Sequence, residues 1–368
     1  MTASGCSLLA FTKAVKRFRK QFPFPVSGRL RWAIMSGRTT IHDVAKAAGV
    51  SVSTVSKAVN GRYGIADATV RRVLDVVQEL GYESSLVASS MRARRTGVIG
   101  VLLADFEPFS AEILKGVGTA VHDTAFDLLA YSGSRHGQGE GWERRSLSRL
   151  SGTLIDAAIM VTPTVIGAST EIPVVAIDPH TGRADLPTVE SDSFGGALTA
   201  TRHLIELGHR RISFLGGRPD LRSAGLRDAG YRRALTDAGI AVDPDLIRAG
   251  RYELETTRES ARVLLGGASR PTAVFAANDL SAIAVIEVAH ELGLRVPEDL
   301  SVVGFDDVPE ASRRALPLTT IRQPMRRLGA VAAEMVFALL AGQPVEEMHV
   351  TLPTRLVVRA TTAAIART

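Results

Sequence analysis

The stretch TIHDVAKAAGVSVSTVSKAVN, residues 40–60, reads as two short helices joined by a tight turn at Ala48, Gly49 and Val50. Thr40 and Asp43 have the spacing of a capping box, in which each side chain takes a backbone N–H that the first helical turn leaves free. Ile41, Val44, Ala45 and Ala48 then fall on one face of a 3.6-residue repeat. Gly49 supplies the positive φ that the turn needs. Ser51 is placed to cap the second helix, with Val55, Ala58 and Val59 pointing inward and Val52, Ser53, Ser56 and Lys57 outward. Short, polar or basic side chains on that outward face suit a helix lying in a DNA major groove. A helical hairpin packed in some core would satisfy the same pattern, so the flanking sequence decides.

A loop from Asn60 to Gly64 leads to a third amphipathic pattern, Val70, Val73, Leu74, Val77 and Leu80, which stops at Gly81. Three helices around one small core make a headpiece. Residues 38–95 carry nine Lys or Arg against five Asp or Glu, a net +4 that suits phosphate contact. Residues 1–34 contribute +7 with no acid, and since the whole chain is +6, everything from residue 96 onward carries −5. A basic end attached to a mildly acidic body suits a DNA-binding unit joined to a ligand-binding one.

A chain of 368 residues exceeds what one hydrophobic core serves, so two or three domains are expected. With 45% hydrophobic and 22% charged residues it is globular, and no apolar run approaches the ~18 to 20 residues of a membrane span. The single cysteine, Cys6, excludes an internal disulfide, and the eight histidines show no metal-ligand spacing. A reducing cytoplasm is the expected compartment, with no metal or cofactor. From Gly97 short apolar strands alternate with amphipathic helices. Strands are expected at 98–103, 128–131, 157–161, 174–177, 212–215, 273–276 and 301–305, and helices at 198–207 and 282–292. That alternation implies parallel sheets covered on both faces, and its length implies two such domains. Ligands in such sheets bind at the carboxyl ends of the strands.

These patterns, with the runs GYESSLVASSMRARRTGVIGVLL, DLPTVESDSFGGALTATRHLIELGHRRISFLGG, RPTAVFAANDLSAIAVIEVAHELGLRVPEDLSVVGFDDVP and PLTTIRQP, resemble the LacI/GalR family of bacterial transcription regulators over residues 39 to about 360. The resemblance implies an N-terminal all-α helix-turn-helix headpiece with a hinge helix, then an α/β core of two periplasmic-binding-protein-like subdomains with parallel sheets. It places the headpiece at 35–83, the hinge at 84–96 and the core at 97–368. The first subdomain takes about 97–192 and 323–350, the second about 193–322 and 351–368. Residues 1–34 are either a basic arm adding nonspecific DNA affinity or a translation start placed too early. The second reading is preferred, because Met35 lies five residues before the capping box, where family members usually begin.

By motif, Val52, Ser53 and Lys57 are the positions that touch base edges, Lys57 reaching guanine O6/N7 and Val52 a thymine methyl. Thr54, Ser56, Asn60 and Arg62 fix register on the phosphates, and Thr40 belongs to the same DNA-binding set. Met91 takes the hinge wedge usually held by Leu, a thioether that can still insert between neighbouring base pairs. Glu83-Ser84 replaces the usual Arg-Pro, and Ser89 a usual Arg, which puts hinge stability and operator affinity in question. By family position the effector pocket is lined by Phe109, Ser110, Asp192, Arg227, Tyr252, Asn278, Asp306 and Gln323. An Arg, an Asn and an Asp converging beside one aromatic face suit a polyhydroxylated ring. Asp279 is expected to cap the helix that follows it, and Asp192 either touches ligand or supports a crossover.

The resemblance implies a homodimeric repressor on a pseudo-palindromic double-stranded operator, released by a sugar or sugar derivative. A purine-type corepressor that tightens DNA binding is the alternative. A periplasmic sugar-binding protein shares the body but predicts a signal peptide and no headpiece. No GxSxG elbow, P-loop or strand-following GxGxxG is present, and the Gly-rich stretch 132–141 lacks a following phosphate-binding helix pattern, so no enzyme is expected. The last ten residues hold no leucine heptads, and a dimer is the expected end state.

Overall fold

The computed structural model describes residues 39–59, 64–82, 95–133, 142–164, 171–180, 186–267 and 269–365. The chain divides into two units, Met1–Ser84 and Ser85–Thr368.

The first unit holds α1 (Ile41–Ala48), α2 (Val52–Val59) and α3 (Asp67–Glu79). The capping box forms in full: the Thr40 hydroxyl accepts from the Asp43 N–H and donates to the Asp43 carboxylate, which also accepts from the Thr40 N–H at 2.8 Å. Gly49 ends α1 with φ of 64°, a conformation a side chain would strain. The Ser51 hydroxyl accepts from the Thr54 N–H at 3.1 Å and caps α2. Val44, Val55 and Val73, all fully buried, form the centre of the small core with Ala45, Ala48 and Ala58. Two expectations on α3 are corrected. Leu74 and Leu80 lie outward, 44% and 39% exposed, while Val76 and Tyr82 pack on the core instead. Leu74 sits a fraction of a turn off the Val70–Val73–Val77 stripe, and Leu80, on the stripe but at the cap that ends the helix, lies past the end of the small core.

The second unit contains two six-stranded sheets. Along the chain run β1 (Val98–Leu103), α4 (Pro108–Val121), β2 (Asp127–Ser132), α5 (Trp142–Leu150), β3 (Ala157–Val161), β4 (Val174–Ile177) and β5 (Thr188–Ser191). Then come α6 (Ser193–Glu206), β6 (Ile212–Gly216), α7 (Arg222–Asp237), β7 (Ile247–Ala249), α8 (Leu254–Gly266), β8 (Ala273–Ala276) and α9 (Asp279–Glu291). β9 (Ser301–Asp306), α10 (Pro309–Ser312), β10 (Thr319–Arg322), α11 (Met325–Leu340), β11 (His349–Leu352) and β12 (Arg355–Val357) complete the described elements. The first sheet is ordered β11-β5-β4-β3-β1-β2 and the second β12-β10-β9-β8-β6-β7. Every pairing is parallel except β10 with β12.

Strands β1, β3, β4, β8 and β9 are buried along their whole length, as parallel strands covered on both faces must be. On the first sheet Ile99, Val101 and Ile159 pack in one core with Ile113 and Val117 of α4 and with Leu328 and Ala332 of α11. On the second, Phe214 stacks on Tyr231, and Phe275 and Phe305 continue the row as tilted rings. The chain passes between the sheets after β5, after β10 and after β11. Strands β5, β7, β10, β11 and β12 lack a long apolar run and are held by pairing with neighbours already in place. The helix expected from Leu198 starts five residues earlier, because Asp192 caps α6 by accepting from the Gly195 N–H at 2.8 Å. Among the described residues no helix is long and apolar enough to cross a membrane.

Candidate functional sites

In the first unit, α2 presents Ser53 and Lys57, both exposed and one turn apart on the same face. Thr54 and Ser56 are half-buried, and the Thr54 hydroxyl lies 2.8 Å from that of Ser51. Val52 is also half-buried and touches the core, so it faces outward only partly. Thr40 is exposed but its hydroxyl serves the capping box, and those hydrogen bonds hold the Asp43 carboxyl below its ordinary range. Asn60, Arg62, Met91 and the hinge at 84–96, apart from its last two residues, lie outside the described residues.

In the second unit the parallel strands of each sheet all end on one edge, so the residues that follow them gather there. Among the described residues, six non-glycines hold a positive φ: Thr162, Asp178, Arg251, Tyr252, Asp306 and Asp307. Each lies at or just beyond the carboxyl end of β3, β4, β7 or β9. Such conformations cost on the order of 1 to 3 kcal/mol each and persist where surrounding structure enforces them.

At the centre stands Arg227, on α7 and 4% exposed. Its guanidinium lies 3.8 Å over the Phe305 ring, Nη1 donates to the Ala277 carbonyl at 2.5 Å, and the Tyr252 hydroxyl is 3.4 Å away. Nη1 is also 3.7 Å from the Asp306 carboxylate, while Nε is buried without a partner. The same Asp306 oxygen, Oδ1, accepts from Gln323 Nε2 at 2.6 Å, and Gln323 Oε1 in turn accepts from Ser191 of the first sheet. Tyr252 is seated where Gly217 has no side chain, since a Cβ there would overlap its ring.

The structure thus brings Arg227, Tyr252, Asp306 and Gln323 into one polar chain. Asn278 follows β8 and caps α9, its side-chain oxygen accepting from the Ser281 N–H at 2.9 Å. That corrects the expectation for Asp279. Asp279 instead accepts from the Val308 N–H at 2.9 Å and from the Thr320 hydroxyl at 2.5 Å, tying β9, β10 and α9 together. Asp192 is committed to the cap of α6, and its carbonyl accepts from Thr354, so it supports a crossing. Phe109 and Ser110 sit in the first turn of α4, beyond the carboxyl end of β1, with Phe109 packed against the first core.

Sequence reasoning missed Asp178 of the first sheet. Asp178 follows β4 as Asp306 ends β9, and the same rule of the first polar residue after an apolar strand finds it. Burial raises its carboxyl to about 6, with Arg227 pulling the other way. Burial also raises Asp306 to about 7, against the opposing pull of Arg227 and the Gln323 hydrogen bond, and raises Asp279 behind it. His180 is pushed down to about 4 by burial and by Arg218. Across the cleft between the sheets, Glu190 of β5 pairs with Arg222 of α7, and the Arg222 N–H donates to the His180 carbonyl at 3.2 Å. Asp178, Glu190, Ser193 and Arg222 line a polar crevice there of about 10 Å³, the room of roughly one water.

A family model for bacterial regulatory proteins of the lacI family matches residues 40–85, and one for periplasmic binding protein-like domains matches residues 201–362. The HTH-type transcriptional repressor PurR of Aliivibrio salmonicida is 35% identical over 86% of this chain and 98% of its own. The HTH-type transcriptional regulator DegA of Bacillus subtilis is 33% identical over 89% and 99%. Among solved structures, the lac repressor dimer bound to operator and the anti-inducer ONPF has a TM-score of 0.78 at 28% identity, over 89% of this chain and all of that one. The complex of the transcriptional regulator CelR with cellobiose has a TM-score of 0.66 at 31% identity, over 88% and 100%. A helix-turn-helix with its capping box intact, two parallel sheets with their strand ends gathered, and relatives matched along nearly their full length lead to one conclusion: this chain belongs to the LacI family of bacterial regulatory proteins, as a DNA-binding transcriptional regulator with an effector-binding domain.

Proposed function

We propose that the protein is a cytoplasmic, non-enzymatic homodimeric repressor that leaves a pseudo-palindromic operator when a small sugar-like effector enters the cleft. The headpiece at 35–83 reads the operator, with Val52, Ser53 and Lys57 at base edges and Thr40, Thr54, Ser56, Asn60 and Arg62 toward phosphates. Lys57 lacks the bidentate fork of an arginine, so discrimination at its base is soft. Met91 in the hinge at 84–96 is the minor-groove wedge.

The effector reading is carried by the convergence of Arg227, Tyr252, Asp306 and Gln323 at the strand ends. Donors and acceptors beside one aromatic face suit vicinal hydroxyls above a C–H face, and the CelR structure holding cellobiose favours the same class. Phe109, Ser110 and Asn278 stand as further wall positions, while Asp192 supports the crossing beside them. A purine-type corepressor is the second reading, favoured by the repressors named PurR among the relatives.

A thermal-shift screen of the full chain against sugars and purine bases tests this, because a ligand at 100 times its Kd stabilises by about 2.7 kcal/mol. The expected result is a sugar that raises Tm, releases operator DNA in a mobility-shift assay, and loses both effects in Arg227→Ala. A purine base that raises Tm and tightens operator binding selects the second reading.

A further inference from the structure

The charge around Arg227 is unbalanced, and the imbalance restricts what the cleft can hold. Asp306 lies 3.7 Å from the Arg227 guanidinium, and Asp178, at the end of β4, interacts with the same group. Glu107, in the loop after β1, adds its field to Asp306, and partial desolvation together with the neighbouring Asp105 raises it in turn. Among the described residues, the nearby cations reach these carboxylates only while paired with others, Arg222 acting on Asp178 and Arg218 on Glu107. Arg218 pairs with Asp220 at 2.6 Å, Arg222 with Glu190, and Arg322 and Arg359 both hold Asp307. Among the described residues, Arg227 therefore faces Asp306 and Asp178 with only the shared help of Arg222, and one of its guanidinium N–H groups, on Nε, is unpartnered. Hydroxyls find both acceptors and donors in such a set, and an ammonium finds compensation. A phosphate or carboxylate finds a second excess of negative charge in a place with little water to screen it.

We propose that the effector carries no anionic group: the cleft takes an uncharged polyhydroxylated or amine-bearing molecule and rejects its phosphorylated or carboxylated counterpart. This rests on the effector reading above and sharpens it to a charge class. Exclusion arises from Asp178, Asp306 and Glu107 together, not from the size of the added group, so relieving one charge relieves the exclusion.

The test is calorimetric titration of the full-length protein at pH 7.5 with sets of matched probes. One set is glucose, glucosamine, gluconate and glucose 6-phosphate; another is cellobiose with its 6-phosphate; a third is hypoxanthine with inosine monophosphate. Within any set that binds, the uncharged or amine member is expected to bind roughly 100-fold tighter or more than the anionic one. Asp178→Asn, which keeps the side-chain shape, narrows that gap by about tenfold, and Glu107→Gln serves the same purpose should Asp178→Asn not fold. An anionic member binding as tightly as its neutral partner overturns the inference alone. So does an undiminished gap in the variant, which marks steric exclusion. Binding by no member of any set overturns the effector reading itself, and this inference falls with it.

Discussion

The headpiece and the cleft organise their functional residues in opposite ways. In the headpiece, cap and turn are set by residues within 20 positions of one another, and the core closes with Val73 only 18 positions beyond Val55. In the cleft, Asp178, Arg227, Tyr252, Asp306 and Gln323 come from five strand ends or helices spread over nearly 150 positions, and long-range contacts hold them. The contrast teaches that a local motif can be read from spacing, whereas a cleft is an outcome of topology. It also divides the physics. The headpiece is a small apolar core with exposed charges; the cleft is a set of buried charges supported by strained backbone.

The largest expected effect breaks the comparison at its local side. Val55→Ala removes two methyls from a fully buried position, costing about 2 kcal/mol in a core too small to absorb it. Operator binding in a mobility-shift assay is expected to vanish, while the core keeps its own calorimetric melting transition and its effector-induced shift. Loss of both transitions together would show that the two units do not fold independently. A middle-sized effect probes the topological side. Gly217→Ala drives a Cβ into the Tyr252 ring, and displacement of that aromatic wall should weaken effector binding by about tenfold to a hundredfold. Operator affinity without effector should stay unchanged, and titration calorimetry beside a DNA-binding assay separates the two.

The smallest effect sharpens the contrast by its sign. Asp306 is raised to about 7 by burial. The folded core therefore holds that proton more tightly than the unfolded chain does, and the stability gained is present at acid pH and lost as pH rises from about 4 through 7. Asp306→Asn should flatten that stretch of the core's Tm-against-pH curve relative to wild type. Asp43 in the headpiece is shifted the other way by its Thr40 hydrogen bonds. Its contribution is present at neutral pH and lost on acidification, so Asp43→Asn should flatten the headpiece curve on its acid side only.

What was legible in the sequence follows the same division. Capping box, glycine turn and valine spacing specified α1 and α2 nearly residue by residue, and continuous apolar runs marked β1, β3, β4, β8 and β9. Leu74 and Leu80 were misplaced because periodicity reports which face a residue takes but not how far a small core extends. Strands β10 and β12 escaped because short, partly polar strands are defined by partners distant in the chain. For the site, residues following apolar strands were recognisable, but capping roles were not. Asn278 rather than Asp279 caps α9, since the adjacent Asp is drawn to Val308 and Thr320, over 25 positions away.

One detail of the cleft bears on how it moves. Helix α7 begins at Arg222 without a side-chain cap, and the N–H of that first residue is satisfied by the His180 carbonyl from the other sheet's side. Drawing the two sides apart would leave this helix end bare, so separation carries the cost of a missing cap, up to about 1 kcal/mol, or a factor of about five in population. The helix end works as a detent: a backbone catch beside the Glu190–Arg222 pair, which any separation of the two sides has to release.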